Sequence, residues 1–262
     1  MRVMTFNLRF ENERDGENAW YYRRDMIVRM IQKHVPDILG TQEGKWDQLM
    51  YLRRNLPAYA AHMPDRQEDK VIQCPTLFVK KDRFVISGGL DFWLSKTPGV
   101  HMSKDWDSAF PRMISYARLQ PAKAQSRSFC AAVTHLDHKG EQARFHQAEI
   151  IAQWAKELCD PLVLMGDFNE APDADVYRVL TDPQVGLSDT WRVLEGGEGP
   201  ESFTHHGFTG TPTATRMDWI LVSSALRVSR ASIIRYQENG YYPSDHFPYM
   251  ADLEWRKQPA EN

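Results

Sequence analysis

Pro161-Leu162-Val163-Leu164-Met165-Gly166-Asp167-Phe168-Asn169 is an apolar run that closes on a carboxylate and an amide. A short continuous apolar segment of this kind reads as a strand buried on both faces, the sort found inside α/β sheets. Buried strands rarely finish in two chelating side chains without a chemical reason. Asp, Asn and Gly are also ordinary turn residues, so Gly166-Asp167-Phe168-Asn169 alone is an incomplete signal. Its weight comes from similar strand ends elsewhere in the chain.

Working outward, residues 141–158 carry Ala143, Ile150, Ile151, Trp154 and Leu158 at three- and four-residue spacing and read as a helix. Residues 129–135 read as a strand. The chain opens as β-α-β: a strand over 3–8, a helix over 18–34 with Met26, Ile27, Met30 and Ile31 on one face, and a buried strand over 37–41 after Pro36. A further helix is expected over 46–55, and strands over 76–79, 84–94, 114–119, 219–222, 232–236 and 247–255. This mixture predicts an α/β protein whose sheets hold parallel and antiparallel pairs under covering helices. No internal period or linker-like bias divides the chain, so residues 1–256 are expected to form one domain, with 257–262 a frayed tail. Residues 65–70 and 195–201 read as loops, the glycine-rich 196–200 being expected to be flexible.

The bulk numbers exclude several classes. The 262 residues, 42% hydrophobic and 26% charged, are enough for a core that holds polar groups inside without disulfide support. Cys74, Cys130 and Cys159 are odd in number and widely spaced, with no Cys-x-x-Cys pair, which points to reduced thiols in a cytoplasm. The opening Met1-Arg2-Val3-Met4-Thr5-Phe6 lacks the basic, apolar and small-residue regions of a secretory signal. No apolar run approaches the roughly 18 residues needed to span a bilayer. A net charge of −3 argues against gripping a long duplex by counterion release, though a bound divalent metal or a local basic groove still allows nucleotide substrates.

The polar strand ends then form a set. Asn7 ends the first strand; Glu43 follows the second in Gly40-Thr41-Gln42-Glu43; His135 ends Ala131-Ala132-Val133-Thr134-His135. Asp167 and Asn169 end the next, Asp218 starts Asp218-Trp219-Ile220-Leu221-Val222, and Asp245-His246 precedes the last strand. Loops at one end of an open sheet gather residues that are distant in sequence. Carboxylate and amide oxygens without thiolates suit Mg²⁺, Mn²⁺ or Ca²⁺ rather than zinc. A histidine beside an aspartate adds proton transfer near neutral pH. The combination points to hydrolysis of a phosphate ester by water.

In order and spacing, Thr5-Phe6-Asn7, Gln42-Glu43, Thr134-His135-Leu136, Gly166-Asp167-Phe168-Asn169, Met217-Asp218-Trp219-Ile220 and Ser244-Asp245-His246 resemble the endonuclease/exonuclease/phosphatase superfamily, the pancreatic-deoxyribonuclease-like fold. Phe92-Trp93-Leu94-Ser95-Lys96-Thr97-Pro98, Pro111-Arg112, His206-Gly207-Phe208 and Tyr242-Pro243-Ser244 look most like its nocturnin-like and carbon-catabolite-repression-type deadenylase group. The resemblance implies a four-layer α/β/β/α sandwich with two face-to-face mixed sheets, and a Mg²⁺ cofactor for which Mn²⁺ can substitute. It makes Glu43 the main metal ligand, with Asn7 close by and Asp245 reaching the metal directly or through water. Asp167 and Asn169 would orient the attacking water and the phosphate. His246, held by Asp218, would be the catalytic histidine, and His135 would donate to the phosphoryl oxygens. Arg112 would clamp phosphate and His206 stand on the substrate side. Either Asp167 or His246 takes the proton. The expected substrate is a small phosphate ester, a nucleotide or a short single-stranded nucleic acid, cut as a diester or a monoester. No protein partner is signalled, and the alternative of another class is a non-catalytic phosphate-binding module.

Overall fold

The computed structural model describes residues 1–123, 127–194 and 196–256. Glu195 and the expected tail 257–262 lie outside the described residues. The elements run β1 (Arg2–Asn7), α1 (Trp20–His34), β2 (Ile38–Gln42), α2 (Trp46–Asn55), β3 (Tyr59–His62), β4 (Thr76–Lys80), β5 (Phe84–Trp93) and β6 (Met113–Pro121). They continue with β7 (Phe129–His135), α3 (Glu141–Glu157), β8 (Leu162–Asp167), α4 (Asp175–Leu180), β9 (Leu187–Asp189), β10 (Asp218–Ser223), β11 (Leu226–Ile233) and β12 (Tyr249–Trp255).

The twelve strands form two six-stranded sheets, ordered β11-β12-β1-β2-β4-β3 and β5-β6-β7-β8-β10-β9. Each is built around one parallel pair, β1 with β2 and β7 with β8, whose crossovers are α1 and α3. The remaining pairs are antiparallel.

Three apolar clusters separate four layers. One joins the inner faces of the sheets through residues such as Val3, Ile38, Val133, Met165 and Ile220. A second packs α3 and α4 on one sheet through Ile151, Val176 and Leu164, and a third packs α1 and α2 on the other through Ile27, Leu52 and Met4. The chain is thus a four-layer α/β/β/α sandwich, as expected. Among the described residues no helix is long and apolar enough to cross a membrane.

Some boundaries differ from the pattern-based expectation. The strand expected over 232–236 begins at Leu226 and ends at Ile233, because Arg227, Ser229 and Arg230 hide its alternation on an edge strand whose register shifts between Val228 and Arg230. Asn18 closes a 3₁₀ turn, Glu13–Asn18, and α1 starts only at Trp20 because Ala19 is extended at ψ 151°. β3, α4 and β9 have 4, 6 and 3 residues, too few for a periodicity to show. The loop expected to be flexible is tied down: Trp191 Nε1 donates to Gly197 O at 3.1 Å, and Glu198 accepts from Arg216 at 2.6 Å.

Two glycines allow the sheets and strands to approach. A Cβ on Gly40 would sit 2.6 Å from Met165 Sδ across the inner layer, and one on Gly166 would sit 2.3 Å from the backbone oxygen of Thr134. A thioether can swing aside, whereas a strand carbonyl cannot. Gly166→Ala is therefore expected to destabilise the fold by about 1–3 kcal/mol, the usual range for overpacking. Urea unfolding checks this, and a change below about 0.5 kcal/mol counts as no effect.

Candidate active site

Side chains alternate across a strand, so the inner-face register can be followed to the end of each strand. On β8, Val163 and Met165 are core residues and Asp167 is next on that face; on β7, Ala131 and Val133 lead to His135. On β1, Val3 leads through Thr5 to Asn7; on β10, Val222 and Ile220 lead back to Asp218. The polar cluster is the end of the inner core layer, where apolar packing gives way to carboxylate, amide and imidazole. His135 is paired with Asp167 and Asp167 with Asp218 across neighbouring strands, so these three stand side by side.

Two loops close the cluster, one from each sheet. Glu43, just after β2, has φ 62°, and Asn169, just after β8, has φ 51°. Non-glycine residues in this left-handed region carry a cost that persists where surrounding contacts hold them. Glu43 Oε2 accepts from Phe10 N at 2.9 Å, and Oε1 accepts from Asn7 Nδ2 at 3.2 Å. The same Nδ2 donates to Asp167 Oδ2 at 2.9 Å, while Asn7 Oδ1 accepts from Arg9 N. Two carboxylates therefore converge on one neutral amide NH2 group.

Asn169 is held by its own N–H, which donates to Asp167 Oδ1 at 2.9 Å, and by its Nδ2, which donates to Leu136 O and meets His135 Nε2, both at 2.9 Å. Burial, then the charges of Arg112 and His246, lowers the pKa of His135 well below its ordinary value, so its imidazole is neutral. Its 3.5 Å approach to Asp167 is thus not an ion pair.

His246 behaves oppositely. Burial works against its charge, but the charge and hydrogen bond of Asp218 outweigh it, with help from Asp167 and Asp245, and push it up to about 10. Its Nδ1 lies 2.8 Å from Asp218 Oδ2, and its Nε2 lies 3.8 Å from Asp167 Oδ2. Burial and then Asp218 raise Asp167 to about 7. Asp218 Oδ1 is buried with no partner among the described residues.

Asp245 lies at the edge of the group, its Oδ1 accepting from Ser244 Oγ at 3.1 Å and its Oδ2 3.8 Å from Arg9 Nε. Arg9, missed by the motif reading, stands between Asp245, Asp15 and Glu43, and their charges raise its pKa after its hydrogen bond to Asp15. Arg23 was also missed. Its buried guanidinium donates to Leu8 O, to Arg9 O at 2.7 Å and to Pro243 O at 2.9 Å, tying the loop after Asn7 to the segment before Asp245.

Arg112 lies where its charge reaches Glu43, Asp167 and His135. It is anchored from behind by Asp137 at 3.4 Å and by His138 Nδ1 at 3.1 Å. Asp137 also accepts N–H groups from Ala109, Phe110, Lys139 and Gly140. Burial opposes its charge, but these donors and Arg112 hold Asp137 well below the usual carboxylate range. A depressed folded pKa gives stability that is complete above the unfolded value and lost as pH falls toward the folded one. The melting-temperature gap between wild type and Asp137→Asn is accordingly expected to be full at neutral pH and to narrow below about pH 4; a gap that widens with acid contradicts this.

His206 is not brought to the cluster's open side. It is 2% exposed, stacks on Phe247 with ring centroids 4.0 Å apart, and accepts Gly210 N–H at Nδ1. Its neighbour His205 faces His246 instead, at 5.0 Å between ring centroids. Within such a doublet neither composition nor spacing selects the inward residue.

The donor set fits a hard divalent cation. Glu43, Asp167, Asp218 and Asp245 gather their charges beside a single buried imidazolium, while the nearest guanidiniums, Arg9 and Arg112, are each shared with another aspartate. Ligand-capable atoms of Asp167, Asp218 and His246, and of His205, Asp245 and His246, lie within 4.8 Å of one another. His246 Nδ1 is already used by Asp218 and the ring is held cationic, so among these groups the carboxylate oxygens suit a hard ion best.

The sequence pattern of the endonuclease/exonuclease/phosphatase family matches residues 4–246. Nocturnin of Mus musculus is 24% identical over 300 residues, covering all of this chain and 67% of that protein. The structure of an endonuclease/exonuclease/phosphatase from Bacteroides vulgatus superposes with a TM-score of 0.87 at 30% identity, over 97% of this chain and 98% of that one. A mannosyl-6-phosphatase from Bacteroides thetaiotaomicron superposes with a TM-score of 0.84 at 29% identity, over 97% of this chain and 100% of that one.

Proposed function

This chain belongs to the endonuclease/exonuclease/phosphatase family and is a phosphoric ester hydrolase, and from that premise we propose that it is a Mg²⁺-dependent phosphodiesterase acting on a small or nucleotide-like phosphate ester. The observation that carries this reading is the convergence of Glu43 and Asp167 on Asn7, with the His246–Asp218 pair alongside. Residues 1–256 act in it as one catalytic domain. The three free cysteines support a cytoplasmic setting.

Glu43 would be the principal ligand of the cation, with Asn7 setting its carboxylate and Asp245 reaching the ion directly or through water. Mn²⁺ would substitute for Mg²⁺ in such an oxygen site. When bound, the ion would supply Lewis acidity to the phosphoryl group. Asp167, fixed by Asn7 and by the Asn169 N–H, accepts the proton of the attacking water. Asn169 sets the phosphate's position. His246, kept cationic by Asp218, donates to the phosphoryl oxygens as charge builds, and the neutral His135 adds a further polar contact. Arg112, braced by Asp137, binds phosphate from the opposite side. A short single-stranded nucleic acid or a nucleotide suits this arrangement as well as a smaller ester.

A second reading, a phosphomonoesterase, is favoured by the likeness to the mannosyl-6-phosphatase structure. Turnover of bis-p-nitrophenyl phosphate and p-nitrophenyl phosphate with Mg²⁺, Mn²⁺ and Ca²⁺ decides between them. A diester preference abolished by chelation supports the first reading, a monoester preference the second. Inactivity toward both with all three metals leaves a phosphate-binding module.

A further inference from the structure

A cavity of about 530 Å³ opens at the same end of the sandwich, on the flank of Glu43 and Arg112. Trp46, three residues after Glu43, and Met113, next to Arg112, both line it, together with Met63 and Trp93. Met113 O accepts Thr134 Oγ1 at 3.1 Å, and Cys74 N donates to Gly44 O at 2.9 Å, so both walls are tied to strand ends that carry site residues. A phosphate held at the cluster thus has a volume of ligand size beside it.

The charge of this cavity is one-sided. Asp65, Glu68, Asp69 and Asp91 line it, against the guanidinium of Arg66 and the imidazole of His101. Arg66 is held by Asp91 at 2.5 Å, Thr76 Oγ1 at 2.6 Å and Pro75 O at 2.8 Å. Glu68 faces the exposed Lys70 at 3.6 Å, and among the described residues Asp65 and Asp69 make no ion pair. Asp69 Oδ1 receives Val71 N and Ile72 N, which fixes the loop so that the carboxylate keeps its place.

Among the described residues such a wall offers more carboxylates than cations, beside apolar surface. A second phosphate entering it meets like charge, and like-charge juxtaposition in a binding site costs several kcal/mol. A hydroxyl-rich ring meets carboxylates that accept its O–H groups and tryptophan surface that covers its C–H face. Resting on the second, phosphomonoesterase reading above, we infer that this cavity receives the neutral, polyol part of the substrate, a pyranose-like group esterified to one phosphate, and rejects oligonucleotides. A nucleobase could share the aromatic wall, but the neighbouring phosphates of an oligonucleotide could not share the rim.

The test compares a hexose monophosphate with an adenosine pentanucleotide, by kcat/KM and by calorimetric binding in Mg²⁺, using wild type and the exposed-rim variant Asp65→Lys/Glu68→Lys. Wild type is expected to favour the hexose monophosphate by at least about tenfold, and the variant to move that ratio by about tenfold toward the pentanucleotide, through KM. Preference for the pentanucleotide, or a ratio that the charge reversal leaves in place, overturns the inference. The two nitrophenyl esters report on the reaction centre separately. If wild type turns neither over but calorimetry shows the hexose preference, the cavity reading stands and the centre's falls; the converse result fells the cavity reading alone.

Discussion

Glu43→Gln is expected to lower kcat by about 10²–10³ or more while the protein stays folded, since losing one charge-stabilising group costs about 2.7–4 kcal/mol. The substitution keeps the side chain's shape and removes its charge; the one amide oxygen that remains can accept from either Phe10 N or Asn7 Nδ2, which now stand 2.9 and 3.2 Å from the two carboxylate oxygens. Glu43 is half-buried at a loop, outside all three apolar clusters, so its charge does little for the core. The accompanying sign is thermal: a ligand that binds only the native state raises the melting temperature. Wild type should therefore gain stability from Mg²⁺ and Glu43→Gln should gain much less. Steady-state rates and melting curves with and without Mg²⁺ check both halves, and a variant with near-normal kcat removes Glu43 from the centre.

Asp218→Asn should cost a comparable amount by a different route. Asp218 touches no substrate position; it acts through His246 Nδ1 at 2.8 Å. Burial alone disfavours the imidazolium, and Asp218 is the largest influence reversing that. With the carboxylate gone, the cationic form of His246 is lost at lower pH. We expect kcat to fall by about 10²–10⁴, the range of proton-transfer and donor effects, and the alkaline limb of the kcat profile to move to lower pH. His246→Ala should show the loss of rate without any such limb. An Asp218→Asn enzyme whose limb stays where the wild type's lies would show that His246 does not work as the cation.

The α/β class was readable from simple local patterns, and the four-layer sandwich from the resemblance that the motifs carry. β7 and α2 have the boundaries that residues 129–135 and 46–55 suggested, since each is bounded by clear turn or capping residues. The polar residues at the strand ends were readable for the same reason: His135, Asp167, Asn7 and Asp218 each continue a two-residue alternation begun by core residues. What sequence hides is orientation in loops. Nothing in Thr204-His205-His206 says that His205 turns toward His246 while His206 packs on Phe247. Nor does a lone arginine in a helix announce that it will bind three carbonyls from two distant loops, as Arg23 does. Both depend on contacts about 40 and 220 residues away along the chain, which no local periodicity encodes.

The central claim is that the Glu43, Asn7 and Asp167 cluster is built around a hard cation. Anomalous diffraction from crystals soaked in Mn²⁺ addresses it most directly. The account predicts a manganese peak bonded to a Glu43 carboxylate oxygen at about 2.0–2.2 Å, in an oxygen-rich shell that Asp245 joins directly or through water. A well-occupied peak elsewhere, with none at Glu43, contradicts it.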